Sequence, residues 1–272
     1  MKVHHLNCGT LCPYGGRLVS GEGGLIGGAE MVCHCLLIEA GGSLVLVDTG
    51  FGTADAAHPY KRLGVAFTSA FRAQPKPETA AIARVRELGL DPADVSHIVC
   101  THLDLDHAGG LPDFPDAEVH VFAPEEPAAM HPSLPDRARY RSSHFEHGPR
   151  FVAHEVDGDS WNGFESIRLL PGVDAEIALI PLVGHSPGHT GIAVRDEGGW
   201  MLHCGDAYFH RNQMADPPDC PSALRAFQSV MAADRSARHR NERRLHRLAG
   251  DSSAEVRLFC SHDPVELERM RA

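Results

Sequence analysis

The sequence predicts a mixed α/β protein in which two packed β-sheets carry helices on their outer faces. Apolar β-like runs come first in a pair and then alternate with helical segments, so that neither a regular βαβ succession nor an all-β sandwich accounts for the order. The chain has 272 residues and 43% hydrophobic residues, which is ample for a full core. We therefore expect one domain over residues 1–272.

The strand predictions rest on short apolar runs between turn signals. Gly41-Gly42 separates two such runs and predicts a hairpin. The predicted strands are Met31–Ala40, Ser43–Asp48, His97–Thr101, Glu118–Ala123, Ile177–Val183, Ile192–Arg195, Trp200–Cys204 and Val256–Cys260. Helical spacing predicts a helix over Glu78–Leu88 and a long helical region over Pro221–Leu248.

Two stretches show no regular periodicity. Gly9–Gly28 is rich in glycine, and His131–Trp161 is rich in His, Arg, Pro and Ser. Irregular segments of this length in a compact domain are usually either functional lids or disordered. We predict that residues 9–28 and 131–161 are lids over a binding site.

Composition and charge narrow the choice of partners. The net charge of −11 argues against a nucleic-acid partner, because a surface of that sign repels phosphates. No apolar run reaches the length of a membrane span, and the first residues do not resemble a signal peptide, so we expect a cytoplasmic protein with no membrane partner. Nineteen histidines favour metal chemistry.

The segment THLDLDHAGG, residues 101–110, concentrates potential metal ligands behind a predicted strand. His102 and Asp104 alternate and can face one hollow, whereas Asp106 and His107 approach it from the following turn. A catalytic metal ion normally keeps three protein ligands and one open position. Four ligands therefore suggest two ions and require further residues from elsewhere in the chain.

Other strand ends offer those residues. GHSPGHTG, HCGDAYF and FCSHDP each follow an apolar run. Neighbouring strands end side by side in a sheet, so the polar groups behind them can converge. The candidates are His185, His189, Asp206 and His262.

Together these segments resemble the metallo-β-lactamase superfamily of metal-dependent hydrolases. The matching pieces are LVLVDTG, THLDLDHAGG, GHSPGHT, CGDA and SHD, in that family's order, and they span about residues 31–263. Within the superfamily, SHDPVE and the chain length most resemble the lactonases that open N-acyl-homoserine lactones. The resemblance implies a four-layer αββα sandwich, with two divalent metal ions at one edge.

The resemblance also implies a set of ligands. It assigns the first ion to His102, Asp104 and His189, and the second to Asp106, His107 and His262. Asp206 would bridge the two ions. Asp48 would orient ligands without binding metal, and His185 is not expected to bind an ion.

Asp104 departs from the family pattern, which usually has histidine there. Two ions (+4), three aspartates (−3) and a bridging hydroxide (−1) sum to zero, whereas histidine at position 104 would leave +1. The additional carboxylate favours harder ions, iron or manganese, over zinc at both positions. Alternatively, Asp104 only forms hydrogen bonds, and one of the two metal sites is weak.

The implied activity is hydrolysis of an ester-like bond in a small molecule, with a lactone as the first choice. Asp106 would accept a proton and return it to the leaving group. Tyr208 would form a hydrogen bond to the substrate. The alternatives are a thioester hydrolase of the glyoxalase II kind, with Arg137, Arg139 and Arg141 facing glutathione, and an iron-dependent redox enzyme. The chain could also form a homodimer.

Overall fold

A computed structural model of the chain describes residues 1–169, 173–251 and 253–272, and contains two mixed sheets of six strands each within those ranges. From one edge to the other, the first sheet consists of β1 (Lys2–Leu11), β2 (Met31–Ala40), β3 (Ser43–Val47), β4 (Val95–Val99), β5 (Glu118–Phe122) and β6 (Arg150–His154). From edge to edge, the second consists of β12 (Val256–Phe259), β11 (Gly199–His203), β10 (Thr190–Asp196), β9 (Ile177–Pro181), β8 (Phe164–Leu169) and β7 (Asp159–Trp161).

Helices cover the outer faces of both sheets. They are α1 (Arg17–Ser20), α2 (Thr53–Ala57), α3 (Pro59–Arg62), α4 (Val65–Ala70), α5 (Ala81–Glu87), α6 (Leu105–Ala108), α7 (Glu125–Met130), α8 (Ser222–Met231), α9 (Arg235–Gly250) and α10 (Pro264–Arg271). Ala81 and Val85 of α5 pack on the first sheet, and Leu245 of α9 packs on the second. The expected αββα sandwich is therefore confirmed.

The central core lies between the two sheets. Alternate residues of β2 and β3, such as Leu36, Ile38 and Val45, meet Leu179 and Ile192 from the second sheet. Burial of each such side chain stabilises the fold by roughly 1.5–3 kcal/mol. The opposite faces of the same strands pack under the helices, which explains why β2 is buried on both faces and is largely apolar in the sequence.

The predicted hairpin is confirmed. Ala40 pairs with Ser43, so that Gly41 and Gly42 form a two-residue turn. Both glycines have positive φ, 57° and 96°, which is the conformation that a tight hairpin turn of this kind requires.

Several elements differ from the sequence prediction. The helical region Pro221–Leu248 is two helices, because the chain breaks after α8 and Asp234 caps the start of α9 by accepting from the N–H of Ala237. Strand β1 is not predicted by the sequence, since its histidines obscure the alternation. The segment predicted as an irregular lid, 131–161, contains β6 and β7. In the segment 9–28, residues 9–11 belong to β1 and residues 17–20 form α1.

The candidate ligands all follow strands that end at one edge of the sandwich. Asp48 comes directly after β3, and His102 lies three residues after β4. His185, Asp206 and His262 follow β9, β11 and β12. In the part of the chain that the structure describes, no helix combines the length and apolarity needed to cross a membrane.

Candidate metal centre

Three overlapping groups of ligand atoms meet at this edge. The first contains His102, Asp104 and His185, and the second contains Asp106, His107 and His262; within each, the ligand atoms lie within 4.8 Å of one another. The third contains His102, His107 and Asp206 and overlaps the other two, so that Asp206 stands between them. Its Oδ2 lies 3.5 Å from Nε2 of His185, whereas its Oδ1 lies 3.1 Å from Nε2 of His262. The bridging position implied for Asp206 therefore fits the geometry.

The second group has the dimensions of a metal site. Nε2 of His107 lies 3.3 Å from Oδ1 of Asp206 and 4.0 Å from Oδ1 of Asp106. Nε2 of His262 lies 3.8 Å from Oδ2 of Asp106. Ligand atoms about 2.0–2.1 Å from a tetrahedral ion are separated by about 3.3 Å, so small shifts suffice to bind one.

Hydrogen bonds fix the orientation of the imidazoles. Nδ1 of His107 donates to Oδ2 of Asp48 over 2.9 Å, and Nδ1 of His262 donates to the carbonyl oxygen of Val32 over 2.8 Å. Nδ1 of His102 lies 3.0 Å from Oγ1 of Thr101, whose own hydroxyl donates to Asp48. In each ring the proton is therefore on Nδ1, and the lone pair of Nε2 faces the centre.

The buried polar atoms indicate where a cation fits. No described residue forms a hydrogen bond with Nε2 of His102, Nε2 of His107 or Oδ1 of Asp206, although all three atoms are buried. Unpaired buried acceptors are costly, and a metal ion satisfies them. The negative charge of the surrounding carboxylates also favours a cation here. Although burial lowers the pKa of His107, the carboxylates of Asp206 and Asp48 raise it well above its usual value. The residues therefore fit a divalent ion.

The structure places His189 outside these groups, contrary to its expected role as a ligand. Its Nδ1 lies 3.1 Å from the carbonyl oxygen of Leu182, and its Nε2 accepts from the backbone N–H of Asp206 over 2.8 Å. Burial lowers the pKa of His189 well below its usual value, which keeps the ring neutral and able to accept. His185, which was not expected to bind metal, occupies the corresponding place in the first group.

Tyr208 is also not where its expected role requires. Its side chain is fully buried, and its hydroxyl donates to the carboxylate of Glu266 at 3.0 and 3.1 Å. The next residue, Phe209, lines the cavity and stacks on His262 with ring centroids 5.1 Å apart. Tyr208 is therefore not positioned to contact a ligand in the cavity, whereas Phe209 is.

Asp104 has a partner that the sequence did not indicate. Nε and Nη2 of Arg139 donate to its two carboxylate oxygens over 2.7 Å each. Both side chains are buried. Burial alone would raise the pKa of Asp104, but the guanidinium holds it well below the usual range. Arg139 belongs to the segment predicted as the second lid, so this part of the segment forms a wall of the centre.

Glu125, at the start of α7, has a role that the sequence did not indicate. Its carboxylate accepts from the N–H of Leu103, the N–H of Gly188 and the hydroxyls of Tyr140 and Ser186 at 2.6–3.1 Å. This single buried side chain thereby joins the loop before Asp104, the loop that carries His185 and the segment around Tyr140. No motif in the sequence marks it.

A glycine allows the turn that carries Asp206. Gly205 has φ +54°, and a Cβ at this position would lie 2.6 Å from Nε2 of His189. Any other residue would push His189 away from the Asp206 backbone. The CGDA motif is therefore explained by close packing as well as by its aspartate.

A separate group of close ligand atoms lies away from this edge, on β4 and β5. His97, Glu118 and His120 form it, with Nδ1 of His97 3.1 Å from Nε2 of His120. His120 also contacts Nε2 of His154 on β6 over 2.9 Å, so the imidazoles form a hydrogen-bonded chain across the sheet.

Comparisons with known proteins agree with this fold and site. Residues 28–255 match the model of the metallo-beta-lactamase superfamily. A probable metallo-hydrolase of Mycobacterium tuberculosis is 40% identical over 266 residues, which cover 97% of this chain and 81% of that protein. An N-acyl homoserine lactonase of Azorhizobium caulinodans is 29% identical, over 69% of this chain and 65% of that protein.

Solved structures show the same fold. An N-acyl homoserine lactone hydrolase, with the product N-hexanoyl-L-homoserine bound at its catalytic metal centre, superposes with a TM-score of 0.74. The alignment covers 98% of this chain and 95% of that one, at 20% identity. With its αββα sandwich, its ligand-bearing edge and the family match over most of its length, the chain belongs to the metallo-β-lactamase superfamily and is a metal-dependent hydrolase.

Proposed function

We propose that the chain hydrolyses lactones that carry an apolar acyl chain, such as N-acyl-homoserine lactones. The observation that carries this proposal is a cavity of about 470 Å³ that is charged at one end and apolar along its wall. Asp104, Asp106, His185, Asp206 and His262 line the charged end. A substrate with a polar ester head and a hydrocarbon tail matches this division.

Four phenylalanine side chains contribute to the apolar wall. Phe67, Phe71, Phe209 and Phe227 line the cavity together with Leu11, Met31 and Met231. Phe71 and Phe209 each pack edge-on against Phe227, with centroids 5.3 and 5.6 Å apart. Rings held in this way form a fixed surface, against which each buried CH₂ of a ligand contributes about 0.8 kcal/mol.

Asp106 is the residue to which we assign proton transfer. Its side chain is 12% exposed, compared with 8% for Asp104 and 5% for Asp206, and it borders the cavity. A divalent ion held by these residues would supply an activated water and polarise the ester carbonyl. The water oxygen bonds to the acyl carbon, the ring C–O bond breaks, and the carboxylate of Asp106 carries the proton from the water to the departing alkoxide.

The arginines do not favour the glutathione thioester alternative. Arg137 is exposed and does not line the cavity. Nε of Arg141 donates to the carbonyl oxygen of Arg62, away from the cavity lining. All the N–H groups of Arg139 have protein acceptors. A pocket for the carboxylates of glutathione needs free cationic donors, which these three side chains do not provide.

A substrate panel tests the proposal. We expect metal-loaded protein to open N-acyl-homoserine lactones, with kcat/KM rising with the length of the acyl chain, and to act weakly on glutathione thioesters. Asp106→Asn should lower kcat by about 10²–10⁴-fold, the range for loss of a general acid–base group.

Asp136→Asn is the matched control, because Asp136 is another carboxylate on the cavity wall but bonds to Ser133. It should leave kcat within about twofold, the ordinary scatter for a group outside the reaction. Equal losses in the two variants, or a preference for glutathione thioesters, would contradict the proposal.

A further inference from the structure

Arg139 is fully engaged by the first ligand group. Nε and Nη2 bind the two oxygens of Asp104, and Nη2 also lies 2.8 Å from Nε2 of His185. Nη1 donates to the carbonyl oxygens of His185 and Met231, over 3.0 and 3.1 Å. These contacts use all five N–H bonds of the guanidinium. Arg139 is therefore fixed in place and has no donor left for another ligand.

The same contacts occupy atoms that an ion in the first group would need. A neutral imidazole nitrogen has a single lone pair. Nε2 of His185 either accepts from Nη2 of Arg139 or donates to Oδ2 of Asp104, which lies 3.1 Å away. In neither arrangement is the lone pair free for a metal ion.

Four buried polar atoms of the centre lack hydrogen-bond partners within the described chain: Nε2 of His102 and Nδ1 of His185 in the first group, and Nε2 of His107 and Oδ1 of Asp206 beside the second. Only beside the second group is one of them a carboxylate oxygen, and it lies 3.3 Å from the unpartnered Nε2 of His107. In contrast, both oxygens of Asp104 and Nε2 of His185 are satisfied by Arg139. The second group therefore offers a cation both an unpaired carboxylate oxygen and an unpaired imidazole nitrogen, whereas the carboxylate of the first group is already neutralised by Arg139.

We propose that the chain binds one divalent ion, held by Asp106, His107, Asp206 and His262, and that the guanidinium of Arg139 takes the place of the other ion. The inference rests on the proposed function only for its assignment of this edge as the metal centre. Asp104 and Arg139 act as a pair, because a guanidinium needs a two-oxygen partner that an imidazole cannot provide. The pairing gives the departure from histidine at position 104 a physical reason.

Metal counting on the full chain tests this inference. The protein is saturated with Zn²⁺, freed of weakly bound metal by gel filtration and analysed by mass spectrometry. All counts are made in a His120→Asn background, so that the group on β4 and β5 does not contribute. We expect one ion per chain. Arg139→Met should raise the count to two, because it frees Asp104 and His185.

Two further variants complete the design. Arg139→Lys keeps the positive charge at this position and should stay at one ion. Arg141→Met alters an arginine two residues away whose Nε bonds to a backbone carbonyl, and should also stay at one. If Arg139→Met does not fold, the count in the parent protein still decides whether the chain binds one ion or two.

Two tightly bound ions in the parent protein would overturn the inference, as would a count that stays at one in folded Arg139→Met. The outcome is separate from that of the proposed function. A two-ion protein that opens lactones would retain the activity and reject the role of Arg139. A one-ion protein that is inert toward lactones would reject the lactonase activity and leave the role proposed for Arg139 in place.

Discussion

Nε2 of His189 accepts a hydrogen bond from the backbone N–H of Asp206 over 2.8 Å. With Nδ1 close to the carbonyl oxygen of Leu182, both ring nitrogens are engaged within the protein. His189 therefore holds the turn that presents Asp206, whereas His185, four residues earlier, lies beside Asp104 in the first group. The two histidines of GHSPGH have different physical tasks.

His189→Phe should destabilise the fold without emptying the centre. The substitution leaves the N–H of Asp206 buried and unpaired, which costs about 1–3 kcal/mol. We expect a lower denaturation midpoint, with one zinc ion per chain retained at saturation. His262→Phe is the comparison, because it removes a ligand and should abolish tight binding. Loss of zinc from folded His189→Phe would restore His189 as a ligand.

Asp48→Asn should weaken metal binding although Asp48 does not face the ion. Its carboxylate accepts from Nδ1 of His107 and from both the N–H and the hydroxyl of Thr101. Loss of such an orienting partner typically costs 10–100-fold in affinity. Competition with a chromophoric zinc chelator measures the change. Asp113→Asn, at a half-buried aspartate that binds Thr53, is the control; an equal effect there would point to general destabilisation.

Phe227→Ala should reduce the preference for long acyl chains. Phe227 contributes part of the apolar wall and holds Phe71 and Phe209 in place. We expect kcat/KM to fall about tenfold more for long-chain than for short-chain lactones, since only the former bury CH₂ groups there. Tyr208→Phe serves as the control, because Tyr208 lies behind the cavity, and it should leave the preference unchanged. A changed preference in Tyr208→Phe would return that residue to the substrate site.

Glu266 should make stability depend on pH. Burial raises its pKa from an ordinary 4.5 to about 7, despite hydrogen bonds from the N–H of Cys260 and the hydroxyl of Tyr208. The folded state therefore retains a proton that the unfolded chain loses above pH about 4.5. The stabilisation is complete below that pH and is lost as the pH rises through about 7, by about 3 kcal/mol in total.

Urea denaturation of the zinc-loaded protein at several pH values between about 4.5 and 8 measures this effect. Glu266→Gln carries no titrating group and should lack this component of the pH dependence. The stability of the parent protein should therefore fall relative to that of the variant as the pH rises. Parallel curves for the two proteins would show that Glu266 keeps an ordinary pKa.

The sequence was sufficient to predict the architecture and the location of the centre. Apolar runs ending in His or Asp are local signals, and the meeting of their ends at one edge follows from the way strands pack in a sheet. That reasoning correctly brought His102, Asp106, His107, Asp206 and His262 to one edge. Strand β1 is not predicted, because its sequence is irregular and contains two adjacent histidines, so that the alternation of apolar and polar residues is weak there.

The remaining details depended on tertiary contacts that have no local signal. His185 and His189 both follow β9, and only the packing of Gly205 and Asp206 against His189 decides which one faces the centre. The ion pair of Asp104 joins residues 35 positions apart, and Arg139 looks like one of three surface arginines in the sequence. Glu125 has an ordinary sequence context and acquires its role only when three loops close around it.

The hydrolysis of a long-chain N-acyl-homoserine lactone by chelator-stripped and then zinc-restored protein tests the central claim most directly. The account predicts that the stripped protein is inactive and that lactone opening returns as the divalent ion is restored. Full lactone hydrolysis by the stripped protein, or none by the folded zinc-loaded protein, would contradict it.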